Sequence, residues 1–221
     1  MVDVDVTIAV SGRNSTQARA VGHVADREIF TVNAALGARD LAIDEAYVRP
    51  IDVPPPDACD PRPLRIPGEE SIMSRIDLRL ASAKAWEALV GSPAPGGRSA
   101  LWARIPDILD TSAAALAILG DYVPFGIGQA LGQFAGGNSL DNTLRVVKIV
   151  PTDWVLLDIQ VDGIANGFGH GTVHLYAQDG TLMATASQST IVRFWEPEHP
   201  GTRPQGDHTA GTATDGAEES T

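Results

Sequence analysis

DGTLMATASQ, residues 179–188, decides how the rest of this chain is read. Asp-Gly predicts a two-residue hairpin turn, and the alternation after it predicts a strand. On that reading Leu182, Ala184, Ala186 and Gln188 share one face. A small apolar face that ends in an amide needs a reason, because a buried amide must find hydrogen-bond partners or cost stability.

Working outward, four strand-like segments surround this stretch: SLDNTLRVVKIV (139–150), DWVLLDIQV (153–161), GHGTVHLYAQ (169–178) and TLMATASQSTIVRFW (181–195). Before them lie two more strands, IDLRLA (76–81) and ALWARI (100–105), joined through a segment around Trp86. DTSAAALAIL (110–119) is the best helix in the chain, with Asp110, Thr111 or Ser112 available to cap it. Pro124 and glycines 126, 128 and 132 are expected to break or bend the chain beyond Leu119. A helix between strands, with a long antiparallel run after it, is an α+β arrangement.

The chain also repeats itself. Slid by 153 residues, Val4, Val6 and Ile8 fall on Leu157, Ile159 and Val161, and Ala18, Ala20, Gly22 and Val24 fall on Gly171, Val173, Leu175 and Ala177. The match is one of alternation and runs ungapped to about residue 36. It puts Ala35 in the place of Gln188 and Met1 on Trp154. The first copy therefore holds three strands, without a counterpart of the helix or of the Asp141 strand. The expected organisation is a partial first unit (1–49), a proline-rich linker (50–70), a complete second unit (71–195) and a disordered acidic tail (196–221).

The chain has 221 residues and a net charge of −12, a balance that disfavours nucleic acid and anionic membrane surfaces as partners. Residues 1–10 have neither a basic nor an apolar leader region, so no export signal is expected. A single cysteine, Cys59, suits a cytoplasmic setting. No G-x-S-x-G or H-E-x-x-H pattern occurs, which removes the common serine and zinc hydrolase readings. His170 and His174 share a strand face at i and i+4, about 13 Å apart, too far for one ion. GFGHG (167–171) lacks a phosphate loop's lysine and helix, and is better read as a strand that another backbone approaches closely.

These residues resemble the type II acyl-CoA thioesterases, which are double-hotdog proteins. The resemblance rests on Leu140-Asp141, Trp154-Val155-Leu156-Leu157, Gly167-Phe168-Gly169, and the Asp179-Gly180 to Gln188 block. It implies a hotdog fold, a central helix wrapped by an antiparallel sheet, with an incomplete first copy. It also implies hydrolysis of acyl-CoA, with CoA as part of the substrate and no separate cofactor or metal. In that family an Asp, a Gln and a Ser/Thr surround the attacking water. Asp141 matches the Asp and Gln188 the Gln, while the Ser/Thr position falls on Asp162 or a neighbour. The His that often follows the family's Asp is Asn142 here.

The resemblance thus implies that Asp141 activates a water and Gln188 positions it, with the 110–112 end of the helix near the acyl group. Plainer roles stand beside these: Asp141 bonding a turn amide, Gln188 satisfied by backbone, and Asp162 a solvated carboxylate on a polar strand face with Asp158 and Gln160. Hotdog hydratases look for an Asp followed five residues later by a His, which residues 1–195 do not contain. A second functional expectation is a catalytically inactive acyl-CoA binding subunit. The open face of the first copy is expected to be covered either by self-association, giving a homo-oligomer, or by residues encoded upstream of Met1.

Overall fold

A computed structural model describes residues 1–62, 71–106 and 111–195. The chain divides into two compact units, Met1–Glu45 and Ala46–Thr221. The first is a three-stranded antiparallel sheet in the order β1 (Asp3–Ser11), β2 (Ser15–Val24), β3 (Arg27–Gly37).

The second unit carries an antiparallel sheet of eight strands. In chain order they are β4 (Asp60–Pro61), β5 (Asp77–Ser82), β6 (Arg98–Arg104), β7 (Ala135–Ser139), β8 (Thr143–Val146), β9 (Val155–Ala165), β10 (Phe168–Ala177) and β11 (Leu182–Phe194). Their spatial order is β4-β5-β6-β9-β10-β11-β7, and β8 also pairs with β11. The helices are α1 (Trp86–Leu89), α2 (Ala113–Leu119) and α3 (Val123–Leu131). Leu116, Leu119, Val123 and Ile127 of α2 and α3 are buried with Leu157, Ile159, Val173, Leu175 and Ala186 of the sheet. The apolar stretch Ala113–Leu131 is long enough to cross a membrane by length and composition, and its burial in this core accounts for its character. This is an α+β hotdog architecture.

The internal repeat holds in detail. In β1–β2, Ile8 faces Ala18 and Val10 faces Gln17, so Ala9 bulges out. In β9–β10, Val161 faces Gly171 and Gly163 faces His170, so Asp162 bulges at the equivalent place. A second shared bulge falls at Ile29 in β3 and at Met183 in β11. The hairpins, however, differ by one residue. Ala25 and Asp26 link β2 to β3, whereas Gln178, Asp179 and Gly180 lie between the paired Ala177 and Thr181. Asp179 Oδ1 accepts the Thr181 N–H at 2.9 Å, and Gly180 takes φ +85°, the left-handed residue that a three-residue loop requires.

The two-residue turn expected at Asp-Gly is therefore a three-residue loop, and beyond it the repeat offset becomes 154. Ala34, not Ala35, stands where Gln188 does: Ala18 faces Ala34, and Gly171 faces Gln188. The bulge at Met183 also separates Leu182 from the face expected for it. Ala184 and Ala186 join the helix-side core with Met183, while Leu182 turns to the opposite side with Trp102, Trp154 and Tyr176.

Three further differences from the sequence expectations have local causes. Residues 139–150 are not one strand: β7 ends at Ser139, residues 140–142 interrupt, and only Thr143–Val146 form β8. The region after Pro124 remains helical, because proline in the first turn gives up only an N–H that had no helical partner. Gly132 then ends α3 in the left-handed conformation, φ +61°. The second unit begins at Ala46 rather than after a free linker. Ala46, Ile51 and Val53 pack on the Trp102–Trp154–Tyr176 face, and Trp102 Nε1 donates to Pro54 O at 2.9 Å. Beneath this strap Asp158, which is 3 % exposed, is held by Arg98 and by the Ile51 N–H. Residues 63–70 of the expected linker, the expected cap Asp110, and the tail from 196 onward lie outside the described residues.

Candidate active site at the helix break

The question posed by the alanines and the glutamine is answered where α2 gives way to α3. Ser112 starts α2 by accepting the Ala115 N–H at 3.1 Å, which confirms one of the three caps expected. That bond occupies a donor at the helix start, the end expected to lie near the acyl group. The Gly120 N–H closes α2 on Leu116 O at 2.8 Å. Asp121 and Tyr122 then lead into α3. A Cβ on Gly120 would come within 3.0 Å of Ala186 Cβ, so glycine on the helix and alanine on the strand are both needed for this approach. The small face exists to let the break sit close to the sheet.

The amide at the end of that face meets the break. Gln188 is 3 % exposed. Its Nε2 donates to Asp121 Oδ1 and to Ser139 Oγ, the latter at 2.7 Å. Ser139 in turn donates to the same Asp121 Oδ1 at 3.0 Å. Three side chains from a helix break, an edge strand and a central strand thus close a ring. Both Nε2 hydrogens are used, while Gln188 Oε1 is buried without a hydrogen-bond partner among the described residues. Asp121 and Ser139 themselves are exposed, so the ring opens outward at the sheet edge.

The residues expected from the sequence are distributed unequally around it. Asp141 lies in the gap between β7 and β8, where its Oδ1 accepts the Ser189 N–H at 2.6 Å. Leu140 N–H donates to Ser189 O at 2.9 Å, so these two residues together serve both backbone groups of Ser189. Asp141 is one strand position from Gln188 and shares no hydrogen bond with it. Asp162 is exposed in its bulge, with no hydrogen bond or ion pair among the described residues. The row Val161–Gly171–Gln188 brings β9 level with the glutamine, but the bulged carboxylate is not part of the ring. Of the other polar strand residues, Asp158 is buried in its ion pair, and His170 Nδ1 bonds Ser189 Oγ at 3.1 Å.

The sequence pattern alone did not single out Asp121 and Ser139. The available signal was a charged residue after glycine in an otherwise apolar helical run, LAILGDYVPFG (116–126). Beside Asp121, Tyr122 is buried, and burial pushes its phenol well above the ordinary range. Nearby Arg62 opposes that shift and Asp121 adds to it.

On the other side of α2 is a cavity of about 750 Å³. Its described walls are mixed: Ile105, Leu116, Leu119, Val150 and Val155 stand with Arg104, Thr111, Thr152 and Asp153. Leu119 lines this space two residues before Asp121, so the cavity borders the stretch of chain that carries the ring's acid.

Residues 54–192 match the acyl-CoA thioesterase C-terminal domain. A protein of Novosphingobium aromaticivorans, provisionally described as a thioesterase, is 34 % identical, with a TM-score of 0.73 over 86 % of this chain and 72 % of its own.

The chain belongs to the acyl-CoA thioesterase family.

The family is one of thioester hydrolases, and this member keeps the family architecture. A hot dog fold protein from Alicyclobacillus acidocaldarius superposes with a TM-score of 0.74 at 19 % identity, covering 88 % of this chain and 72 % of that one. An acyl-CoA thioesterase II from Mycobacterium marinum gives 0.60 at 19 % identity, covering 87 % and 74 %. At that identity both speak for the fold alone. No curated protein matches the sequence.

Proposed function

We propose that this protein hydrolyses acyl-CoA thioesters to free fatty acid and CoA, using a water positioned by Gln188. The observation that carries the reading is the buried amide with an unpartnered Oε1 beside a carboxylate at the helix break. Water attack on a thioester needs an acceptor to orient the water and a base to take its proton. The ring provides both kinds of group, and carboxylates flank the glutamine on two sides, Asp121 and Asp141. Leu116, Leu119, Val150 and Val155 on the wall of the nearby cavity offer apolar contact to an acyl chain. CoA enters as part of the substrate, and the chemistry calls for no further cofactor. The substrate is a soluble metabolite, which fits a cytoplasmic setting without nucleic-acid or membrane partners.

The test is thiol release from short, medium and long acyl-CoAs by the full chain, with Gln188→Ala alongside. We expect turnover that falls about 10²-fold in the variant, the scale of losing a positioned proton-transfer group. Turnover indifferent to Gln188 would discard the site. Acyl-CoA binding without turnover would support the second reading, an inactive binding subunit. That alternative is favoured by a carboxylate, Asp162, at the expected hydroxyl position, and by Ala34 at the amide position of the first unit.

We also infer self-association through the first unit. Val4, Val6, Ile8, Phe30, Val32 and Leu36 lie on one face of its sheet by register and are exposed. A face of that kind seeks cover. A monodisperse monomer in sedimentation would contradict this.

A further inference from the structure

We propose that Arg62 and Tyr122 form a binding site for a carboxylate, set beside the helix break at the β4 end of the sheet. The site stands on its own geometry. That its carboxylate belongs to the acyl group of a thioester, or to the acid released from one, rests on the thioesterase reading above.

Arg62 follows β4 and continues its pairing, since its N–H donates to Leu78 O at 2.9 Å. Asp60 faces Leu80 and Pro61 faces Arg79, so Arg62 stands opposite Leu78. Directly opposite residues of an antiparallel pair share a face, and Leu78 belongs to the helix-side core. The arginine therefore enters the layer between sheet and helices, where its guanidinium carbon lies 4.6 Å from the centre of the Phe125 ring of α3. It is half-buried, and among the described residues no carboxylate pairs with it and no acceptor takes a hydrogen bond from its guanidinium. The aromatic face offsets only part of the cost of taking this cation out of water, and burial holds its pKa below the ordinary arginine range. Tyr122, three residues before Phe125, brings a second donor of the same kind. It is 3 % exposed, and its hydroxyl has no hydrogen-bond partner among the described residues. Residues three apart on a helix are neighbours, and the charge of Arg62 acts on the Tyr122 phenol against the effect of burial.

Both groups are thus donors without an acceptor. The guanidinium offers five N–H groups in a planar fork and the phenol one O–H, a set that the two oxygens of a carboxylate satisfy and an apolar ligand does not. Charge narrows the choice further. Arg62 and Asp121 are the charged groups that act on Tyr122, and Asp121 is engaged by Ser139 and Gln188. One guanidinium neutralises one carboxylate, whereas a phosphate monoester near pH 7 carries closer to two charges and would be left underpaired here. Tyr122 directly follows Asp121, so a carboxylate held by Arg62 sits one residue along the chain from the Gln188 ring. Two sources place one there: the far end of an acyl group whose thioester lies at the ring, or the acid that hydrolysis forms.

The experiment titrates the full chain with sodium octanoate and with sodium suberate, the dicarboxylate of equal length, by calorimetry. Wild type is compared with Arg62→Met, Arg62→Lys and Tyr122→Phe. Methionine keeps an apolar stem on Phe125 and removes only the charge, so the fold should hold. We expect Arg62→Met to weaken carboxylate binding about tenfold or more and Tyr122→Phe to weaken it at least about threefold. Arg62→Lys should fall between wild type and methionine, because it keeps the charge without the planar fork. Circular dichroism checks each fold, and Arg62→Lys with Tyr122→Phe decides the matter should Arg62→Met not fold. Thiol release from octanoyl-CoA and suberyl-CoA then reads the source. A wild-type preference in kcat/KM for suberyl-CoA that shrinks about tenfold in Arg62→Met assigns the site to the far end of the acyl group. Equal kcat/KM, with octanoate inhibiting wild type more strongly than Arg62→Met, assigns it to the released acid. No carboxylate binding, or binding that all three variants leave unchanged, overturns the site. Free CoA competing for the Arg62-dependent binding overturns the carboxylate in favour of a phosphate. A wild type without turnover on either thioester counts against the thioesterase reading alone, since the calorimetry judges the site without it.

Discussion

Replacing Arg98 by methionine should destabilise the second unit by about 3 kcal/mol, a loss that stems from how Asp158 is buried. Arg98 Nε donates to Asp158 Oδ1 at 2.8 Å and Nη2 to Oδ2 at 2.5 Å, a two-pronged contact. The carboxylate side chain is 4 % exposed and the arginine 43 %. Removing the arginine leaves a buried charge with one remaining donor, the Ile51 N–H at 3.3 Å. Breaking a buried pair in this way costs about 3–5 kcal/mol, and the exposure of Arg98 argues for the lower end, since water can enter where it stood. With a urea m-value of about 2 kcal/mol/M, the midpoint falls by about 1.5 M. All four tryptophans, at 86, 102, 154 and 195, lie in the second unit, so fluorescence in urea reads this unit alone. Methionine paired with Asp158→Leu should return to within about 1 kcal/mol of wild type, because an apolar pair leaves no unpaired charge. A single substitution costing under about 1 kcal/mol, or a double variant as unstable as the two singles added, would refute this reasoning.

Two other outcomes are expected. Gly120→Val should lower kcat and cost about 1–3 kcal/mol, because its Cβ meets Ala186 at 3.0 Å and the branch has no room; adding Ala186→Gly should recover part of both, read by thiol release and urea melts. Tyr122 concerns pH. Burial raises its folded-state pKa above the unfolded value of about 10, so its contribution is intact below pH about 10 and is lost as pH rises beyond it, by about 1.4 kcal/mol per unit. Tyr122→Phe should remove that part of the alkaline slope. At pH 7 it should cost little, because the hydroxyl has no hydrogen-bond partner among the described residues to lose. Urea midpoints across pH 9–11 check both statements.

Strand alternation carried most of the fold, since a half-buried sheet writes its period into Val4-Val6-Ile8 and Leu157-Ile159-Val161 alike. What alternation cannot show is a residue that leaves the ladder. The bulge at Met183 sent Leu182 to the other face, and one extra residue in the Gln178–Gly180 loop moved the amide's counterpart from Ala35 to Ala34. Gln188 stood out in the sequence because an amide on an alanine face is a local oddity. Asp121 and Ser139 did not, because what joins them is long-range: 67 residues separate Asp121 from Gln188, and 49 separate Ser139 from it. The helical pattern in the sequence stops at Leu119, and proline at the second position of α3 conceals that a new helix begins at once.

The two shared bulges mean that the sheets of the two units keep the same strand registers, one extra hairpin residue apart, down to Ala34 and Gln188. One codon would place an amide in the first unit where the second has one. In the second unit the acid that this amide holds, Asp121, comes from the helix break and not from any strand. The shared sheet plan therefore fixes where such an amide would stand, while the acid that meets it in the second unit is contributed from outside the sheet.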